Sequence, residues 1–533
     1  MNMNKLKQFV IVLFLTVSCF IGSAYGQDLN VTGTITSNLD GKPISDVKVR
    51  VIGEKEVGAI TDANGNYSIK VGVNTSGELI FTHPDFDPFE VYTNSRSVIN
   101  VTLESVVRYN AYGQRVNRVP LNIENRNGIL TFESADQMYK TWFDLRVNFD
   151  GAHYFDNDTY NELGDGFTIR RLRFAMKTVL YKHWTGEVDL NFAGGQLDVK
   201  DAFIGYKSQP RQFYVKAGYF KEPISMETTT TSRYQTFIEE PYMTEFAPAR
   251  QLGFNVSKWG EKYLAIAGVH FNDVENIEVT TYSQDENKAN GTDEGYSLTG
   301  KLVIRPINME HKVIHLGISG SYRTPKTSWE NPKTFRISMR DMTNISRKKF
   351  LDTDDIPYVK NYSLLGGEFS AAYDHLKFSS EYIRTNLKRK AGYENYQAEG
   401  LYASLSYLVF GGKYNYDEEE GEFTQVTRGQ KWGDLEVALR YDYINLNDNQ
   451  AKIRGGSANG YTAGVTFHVN SNVKFMLNYT YINHDRYANG KGTLYVGRDV
   501  NGALTKDYTK VVDGNGEAGE DYGFTQFRVE IDF

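Results

Sequence analysis

The sequence predicts an all-β chain, a small amino-terminal β-sandwich followed by a sixteen-stranded transmembrane antiparallel β-barrel. Three observations predict it. Residues 524–533 alternate, with Phe527, Val529, Ile531 and Phe533 on one face and Gln526, Arg528, Glu530 and Asp532 on the other. A strand between lipid and a wet lumen needs one apolar and one polar face. The same alternation recurs in sixteen segments after residue 140. The links between them are alternately short and long, which a barrel explains by tight turns at one rim and long loops at the other, and which a sandwich leaves unexplained.

Lys5 and Lys7, an apolar run over 9–15 and Ala24-Tyr25-Gly26 before Gln27 read as a secretory signal peptide, residues 1–26. The single cysteine, Cys19, lies inside it, so the exported chain has no disulfide and depends on a core, a membrane or an assembly. No later stretch approaches the apolar length of a spanning helix, so a membrane form must be a barrel. The 37 Tyr and 31 Phe suit aromatic girdles, and 48 Gly suit turns and loops. A net charge of −7 argues against a nucleic-acid partner.

Residues 27–104 carry short alternating runs separated by turn residues, a β-sandwich pattern. The stretch VTGTITSNLDGKPISDVKVRVIGEKEVGAITDANGNYSI, beginning at Val31, resembles the carboxypeptidase-regulatory-like domain. Asp62, Asn64 and Asn66 have a calcium-loop flavour, but Asp-x-Asn-Gly is read as a hairpin turn, and no metal or cofactor is expected. Residues 105–139, mixed in charge and rich in Asn, are read as a linker. From 140 to 533 comes the barrel. Its first strands show Phe143, Leu145, Val147 and Phe149 against Asp144, Arg146, Asn148 and Asp150, then Leu172, Phe174 and Met176 against Arg171, Arg173 and Lys177.

A Lys or Arg on the lipid face near the midplane costs about 2–4 kcal/mol, and the outer faces of six strands, the first and last among them, carry no charge at mid-strand. One link departs from the rhythm. Residues 408–433, with an acidic run at 417–420, are long where a short turn is expected; a hairpin hidden there would raise the count to eighteen.

The segments RRLRFAMKT from Arg170, DAFIGYK from Asp201, VKAGYFKEPISMETTTTSRYQTFIEE from Val215, FAPARQLG from Phe246, WGDLEVALRYDYINL from Trp432 and NVKFMLNYTYI from Asn472 resemble the phosphate-selective porin O and P family of outer-membrane channels. The resemblance implies a sixteen-stranded, usually trimeric barrel in the outer membrane of a Gram-negative bacterium. In that family the third long loop, here 222–250, folds inward, and basic residues attract anions. With this topology the amino-terminal domain is periplasmic and docks a partner the sequence does not identify. The partners expected are outer-membrane lipid, two further copies of the chain, and small anions or solutes.

A constriction needs an ordered loop with charge around it. Pro223, Pro241 and Pro248 stiffen 222–250, and Tyr234, Phe237 and Phe246 are expected to anchor it, with Lys221, Arg233 and Arg250 as its basic groups. Lumen-facing basic candidates are Arg146, Arg171, Arg173, Lys177, Lys216, Arg440 and Arg528. Arg171, Arg173 and Lys177 climb one wall as a ladder, and arginine's fork suits oxyanions. The competing reading is that these cations pair with wall carboxylates, since Asp144, Glu187, Asp189, Glu436, Asp442, Glu530 and Asp532 face the same side. The loop itself holds Glu222, Glu227, Glu239, Glu240 and Glu245, so general and anion-leaning channels both stand. Phe533 is expected to serve as the outer-membrane insertion signal.

Three other functions compete with a porin. No His-x-Ser pair or HExxH context supports an enzyme, and His311 and His315 are read as a solvated turn. A TonB-dependent transporter needs a plug and 22 strands, which residues 105–533 do not accommodate. A structural or adhesive barrel with a closed lumen is not separable from a porin by sequence.

Overall fold

The computed structural model describes residues 28–56, 58–117, 119–155, 159–271, 295–325, 333–512 and 518–533. The signal-peptide reading, residues 1–26, lies outside them. The described residues form two compact units, divided between Pro120 and Leu121.

The first unit is a two-sheet sandwich. Leu29–Ser37 pairs antiparallel with Asn66–Val71 and parallel with Val101–Leu103. The facing sheet runs Ala59–Ile60, Lys48–Val51, Glu78–His83, Phe86–Tyr92. Alternation decides what is buried: in Asn66–Val71 only Tyr67, Ile69 and Val71 point inward, and they meet Val31, Ile35, Val49, Leu79 and Phe81 in one core. Asp62 Oδ1 accepts from the amides of Asn64 (2.9 Å) and Asn66 (2.8 Å), and Gly65 has φ 73°. The Asp-x-Asn-Gly motif is thus a turn whose carboxylate caps its own backbone. The Tyr67 hydroxyl donates to the carbonyl of Ile99 at 2.8 Å, and burial pushes its phenol up to about 12.

The stretch read as a linker carries more order than its composition suggested. Val107–Tyr109 pairs with Arg115–Asn117 in the first unit, and Leu121–Arg126 pairs with Ile129–Ser134 in the second. Every residue of Leu121–Arg126 is exposed, Leu121 and Ile123 included, so this strand buries no apolar face.

The barrel strands are β1 (Tyr139–Phe155), β2 (Gly166–Leu180), β3 (Trp184–Asn191), β4 (Asp198–Ser208), β5 (Phe213–Lys221), β6 (Arg250–Gly260), β7 (Tyr263–His270), β8 (Ser297–Met309), β9 (Lys312–Arg323), β10 (Val359–Tyr373), β11 (Leu376–Arg389), β12 (Tyr396–Leu408), β13 (Asp434–Asp448), β14 (Ile453–His468), β15 (Val473–His484) and β16 (Asp521–Asp532). Neighbours pair antiparallel in chain order, and β16 returns to β1 from Arg146↔Asp532 to Phe155↔Gly523. The sixteen expected strands match these one to one. The eighteen-strand alternative fails: residues 409–433 hold only a short hairpin, Tyr416–Asp417 against Glu422–Phe423, outside the wall. The two extra strands of the main sheet are instead Leu121–Arg126 and Ile129–Ser134, a hairpin whose second strand pairs with β1 at Lys140–Trp142, beyond the last residue of β1 that β16 covers. Asn472 Nδ2 ties that hairpin to the seam, donating to the carbonyls of Asn127 (2.6 Å) and Asp532 (2.7 Å).

Exposure follows the pleat. On β15, Phe475, Leu477, Tyr479 and Tyr481 point out, while Lys474, Met476, Asn478, Thr480 and Ile482 point in. The terminal strand alternates as expected, with Phe527 outside and Gln526, Arg528 and Glu530 buried. The lumen is not empty. Tyr242, Met243 and Phe246 of the β5–β6 loop and Ile337, Met339, Met342 and Phe350 of the β9–β10 loop pack with inward Tyr154, Tyr402, Ile444, Ile482 and Phe524 in one apolar core.

Candidate pore lining and constriction

The basic wall begins with a bulge. Asn148 of β1 pairs with Arg171 and Phe149 pairs with Ile169, leaving Arg170 without an opposite residue. One extra residue breaks the two-residue period, so the consecutive Arg170 and Arg171 both serve the lumen. Strict alternation carried back from Leu172 and Phe174 would place Arg170 outward. Nothing in the sequence marks the bulge except the doublet itself.

Glu239 of the β5–β6 loop fastens that loop to this wall. It accepts from Arg170 Nε (2.9 Å) and Nη2 (3.2 Å) and from Arg528 Nη2 (3.2 Å). Burial alone would raise its carboxyl; the charges of Arg170 and Arg528 reverse that and hold it at about 2. Arg528 is also bidentate to Asp150 at 2.7 Å twice. Arg171 stands among these groups, 5% exposed, and its Nε and Nη1 have no hydrogen-bond partner. A buried guanidinium beside two others, with two free donors, can accept an oxyanion.

The other expected cations are mostly matched. Arg146 reaches Asp532 (2.9 Å) and Ser232 (2.6 Å). Lys177 lies 3.6 Å from Asp144 and 3.4 Å from Glu187, and Arg173 lies 3.8 Å from Asp189 with its Nε unbonded. Lys216 sits over the rings of Phe203, Tyr214 and Phe220 at 4.6, 5.1 and 5.4 Å. Arg440 bonds Asp442 (2.7 Å) and covers Phe237 at 4.6 Å. In the loop region, Arg233 pairs with Asp144 and Arg250 with Asp201 at 2.8 Å. Lys221 donates to the carbonyls of Thr229 and Thr230. Phe237 and Phe246 are buried anchors, and Tyr234 lines a small cavity at the turn rim. Phe533 has its main chain paired with Leu145 (N to O, 3.0 Å) and is 46% exposed as a residue.

His315 corrects one expectation. It is fully buried on β9, bonded to Glu368 (3.0 Å) and Tyr416 (2.7 Å), because β9 starts at Lys312 and its pleat aims His315 inward. Glu187, Asp189 and Asp201 converge within 4.8 Å, with Lys177, Arg173 and Arg250 as counter-charges.

Between the β1–β6 wall and the filled half of the lumen lies a cavity of about 430 Å³. Arg146, Arg173, Lys177, Lys216 and Arg250 line it together with Asp144, Glu187 and Asp201. Residues 409–433 enter the same space from the turn rim. Tyr416 bonds His315, and Phe423 packs with Met226 of the β5–β6 loop, so inserts from both rims meet inside the barrel.

The model of the family described as "Phosphate-selective porin O and P" matches residues 143–504, well over half of the chain. The chain belongs to the phosphate-selective porin O and P family. It is an outer-membrane porin. An uncharacterised protein of Caulobacter vibrioides is similar, 22% identical over 358 residues, 65% of this chain and 69% of the relative. Among solved structures, the anion-selective porin of Comamonas acidovorans is 12% identical with TM-score 0.44, over 74% of this chain and all of that one. The channel DcaP of Acinetobacter baumannii is 11% identical with TM-score 0.43, over 75% and 99%. OmpT of Vibrio cholerae is 10% identical with TM-score 0.43, over 74% and 98%. In this porin the loop expected to narrow the lumen is thus folded inward, its carboxylate Glu239 bonded to the wall.

Proposed function

We propose that this porin is an anion-leaning diffusion channel for small hydrophilic solutes, with inorganic phosphate among the ions it passes, and that the path runs along the β1–β6 wall. One observation carries the reading: the buried Arg171, with two unbonded nitrogens between Arg170 and Arg528. Most other lumen cations are paired, which argues for a lean rather than a strict filter. The short turns and the amino-terminal unit are periplasmic in this reading, and the assembly is a homotrimer, as the family resemblance implies. Planar-bilayer recording of the refolded protein in a salt gradient, with phosphate added as a blocker, tests it. Anion-shifted reversal with phosphate block is expected; cation preference refutes it.

The second reading is a barrel with a closed lumen, favoured by the apolar core that fills the loop half. Absence of conductance from correctly folded protein would select it.

A further inference from the structure

The segment 409–433 leaves the wall between β12 and β13. Its acidic tip reaches Lys207 at the end of β4 and Gln209 in the turn before β5, eight strands away in either direction around the sixteen-stranded wall. It therefore crosses the full width of the turn rim. The crossing is fastened along its length. Arg305, fully buried on β8, donates Nη1 to the carbonyl of Glu418 at 3.1 Å while Nη2 holds the Tyr263 carbonyl at 2.8 Å. Asn308 Nδ2 donates to Glu418 Oε1 at 2.5 Å. Glu419 accepts from Gln209 at 3.2 Å and pairs with Lys207. Glu420, exposed and with no side-chain bond to the wall among the described residues, lines the same cavity as Lys216.

The consequence concerns ion preference. The turn half of the cavity would otherwise present Lys207 and Lys216 to a passing ion with only wall acids opposite. The insert brings two further carboxylates to those lysines. We propose that Glu419 and Glu420 are specificity-determining residues of this channel, a negative counterweight delivered across the rim that restrains the anion preference of the basic wall. Glu419 also latches the insert to the far wall, whereas Glu420 contributes charge alone. The inference rests on the channel reading above.

Two variants separate charge from latch in planar bilayers at about 0.1 M salt. Glu420→Gln removes a charge without breaking a bond to the wall. It should raise the anion-to-cation permeability ratio by about eightfold at unchanged conductance, since one charge ~10 Å from the path, at an effective dielectric of ~20 and after one Debye length of screening, changes anion entry about threefold and cation entry by the reciprocal. Glu419→Gln should produce a similar shift and, by freeing the tip from Lys207, a larger conductance. A conducting wild type with Glu420→Gln unchanged in reversal potential overturns this inference and leaves the channel standing. A folded wild type that never conducts overturns both.

Discussion

Replacing Glu239 by Gln tests how the loop, the wall and the ion path are coupled. In the native arrangement Arg170, Arg171 and Arg528 face the two carboxylates Glu239 and Asp150. Glutamine keeps the volume and one acceptor but leaves the three guanidiniums facing only Asp150. Breaking a buried pair costs about 3–5 kcal/mol when the partner is left bare. Arg528 keeps its bidentate bond to Asp150 and Arg170 is about a third exposed, so about 1–2 kcal/mol is expected here after that discount. The electrostatic consequence is larger. A charge ~6 Å from an anion at the free nitrogens of Arg171 acts with about 2.8 kcal/mol at an effective dielectric of ~20. Halved by solvent in the lumen, that is about tenfold in anion occupancy. Reversal potential across a tenfold salt gradient, with heat-modified mobility on gels reporting barrel integrity, measures both. The expected outcome is a folded barrel, slightly less heat-resistant, whose preference moves toward anions and whose phosphate block strengthens. A folded barrel with unchanged reversal potential would refute the placement of the ion path beside Arg171.

Arg171→Gln should weaken phosphate block markedly, while Lys177→Gln, already shared between Asp144 and Glu187, should change it less; dose–response of block in the same bilayers compares them. Asp341, buried and accepting from Tyr242 (3.0 Å), Tyr522 (2.8 Å) and His484 (3.2 Å), binds both inward loops to the wall, so Asp341→Asn should cost about 1–3 kcal/mol and lower the heat-denaturation temperature of the barrel. Removing the seam contact with Asn472→Ala should leave conductance unchanged but expose the hairpin around Asn127 to limited proteolysis, read by mass spectrometry of the fragments. Burial lifts the Tyr67 phenol to about 12 in the folded sandwich, and an unfolded tyrosine ionises near 10. The fold therefore keeps its full stability below about pH 10 and loses part of it as pH rises through about 12; Tyr67→Phe should remove that alkaline loss in denaturant titrations of residues 28–120.

Much of this porin was written locally. The count of sixteen strands, the apolar outer face of β15 and β16 and the alternation of short and long links all follow from a two-residue period, which any segment displays on its own. The anchors Phe237 and Phe246 were legible for a related reason: bulky apolar groups in a polar loop must find a core. The long link at 408–433 was visible as an anomaly, but whether it lengthened the wall or entered the lumen was not, because neither its acids nor its aromatics show a period.

Which charges meet depends on closure of the barrel. Arg146 pairs with Asp532, 386 residues away, because barrel closure sets the last strand against the first, and the register that joins them belongs to no single segment. The bulge that turns Arg170 inward is a mismatch between two strands and is invisible in either alone. The inserts from both rims share one interior, so Glu239 reaches Arg170 and Glu419 reaches Lys207 by packing across the lumen rather than by sequence spacing. A barrel with a charged interior is readable from residue order alone; the pairing that leaves Arg171 with free nitrogens and most of its neighbours satisfied comes from closure, because inward side chains from distant strands compete for the same small set of partners.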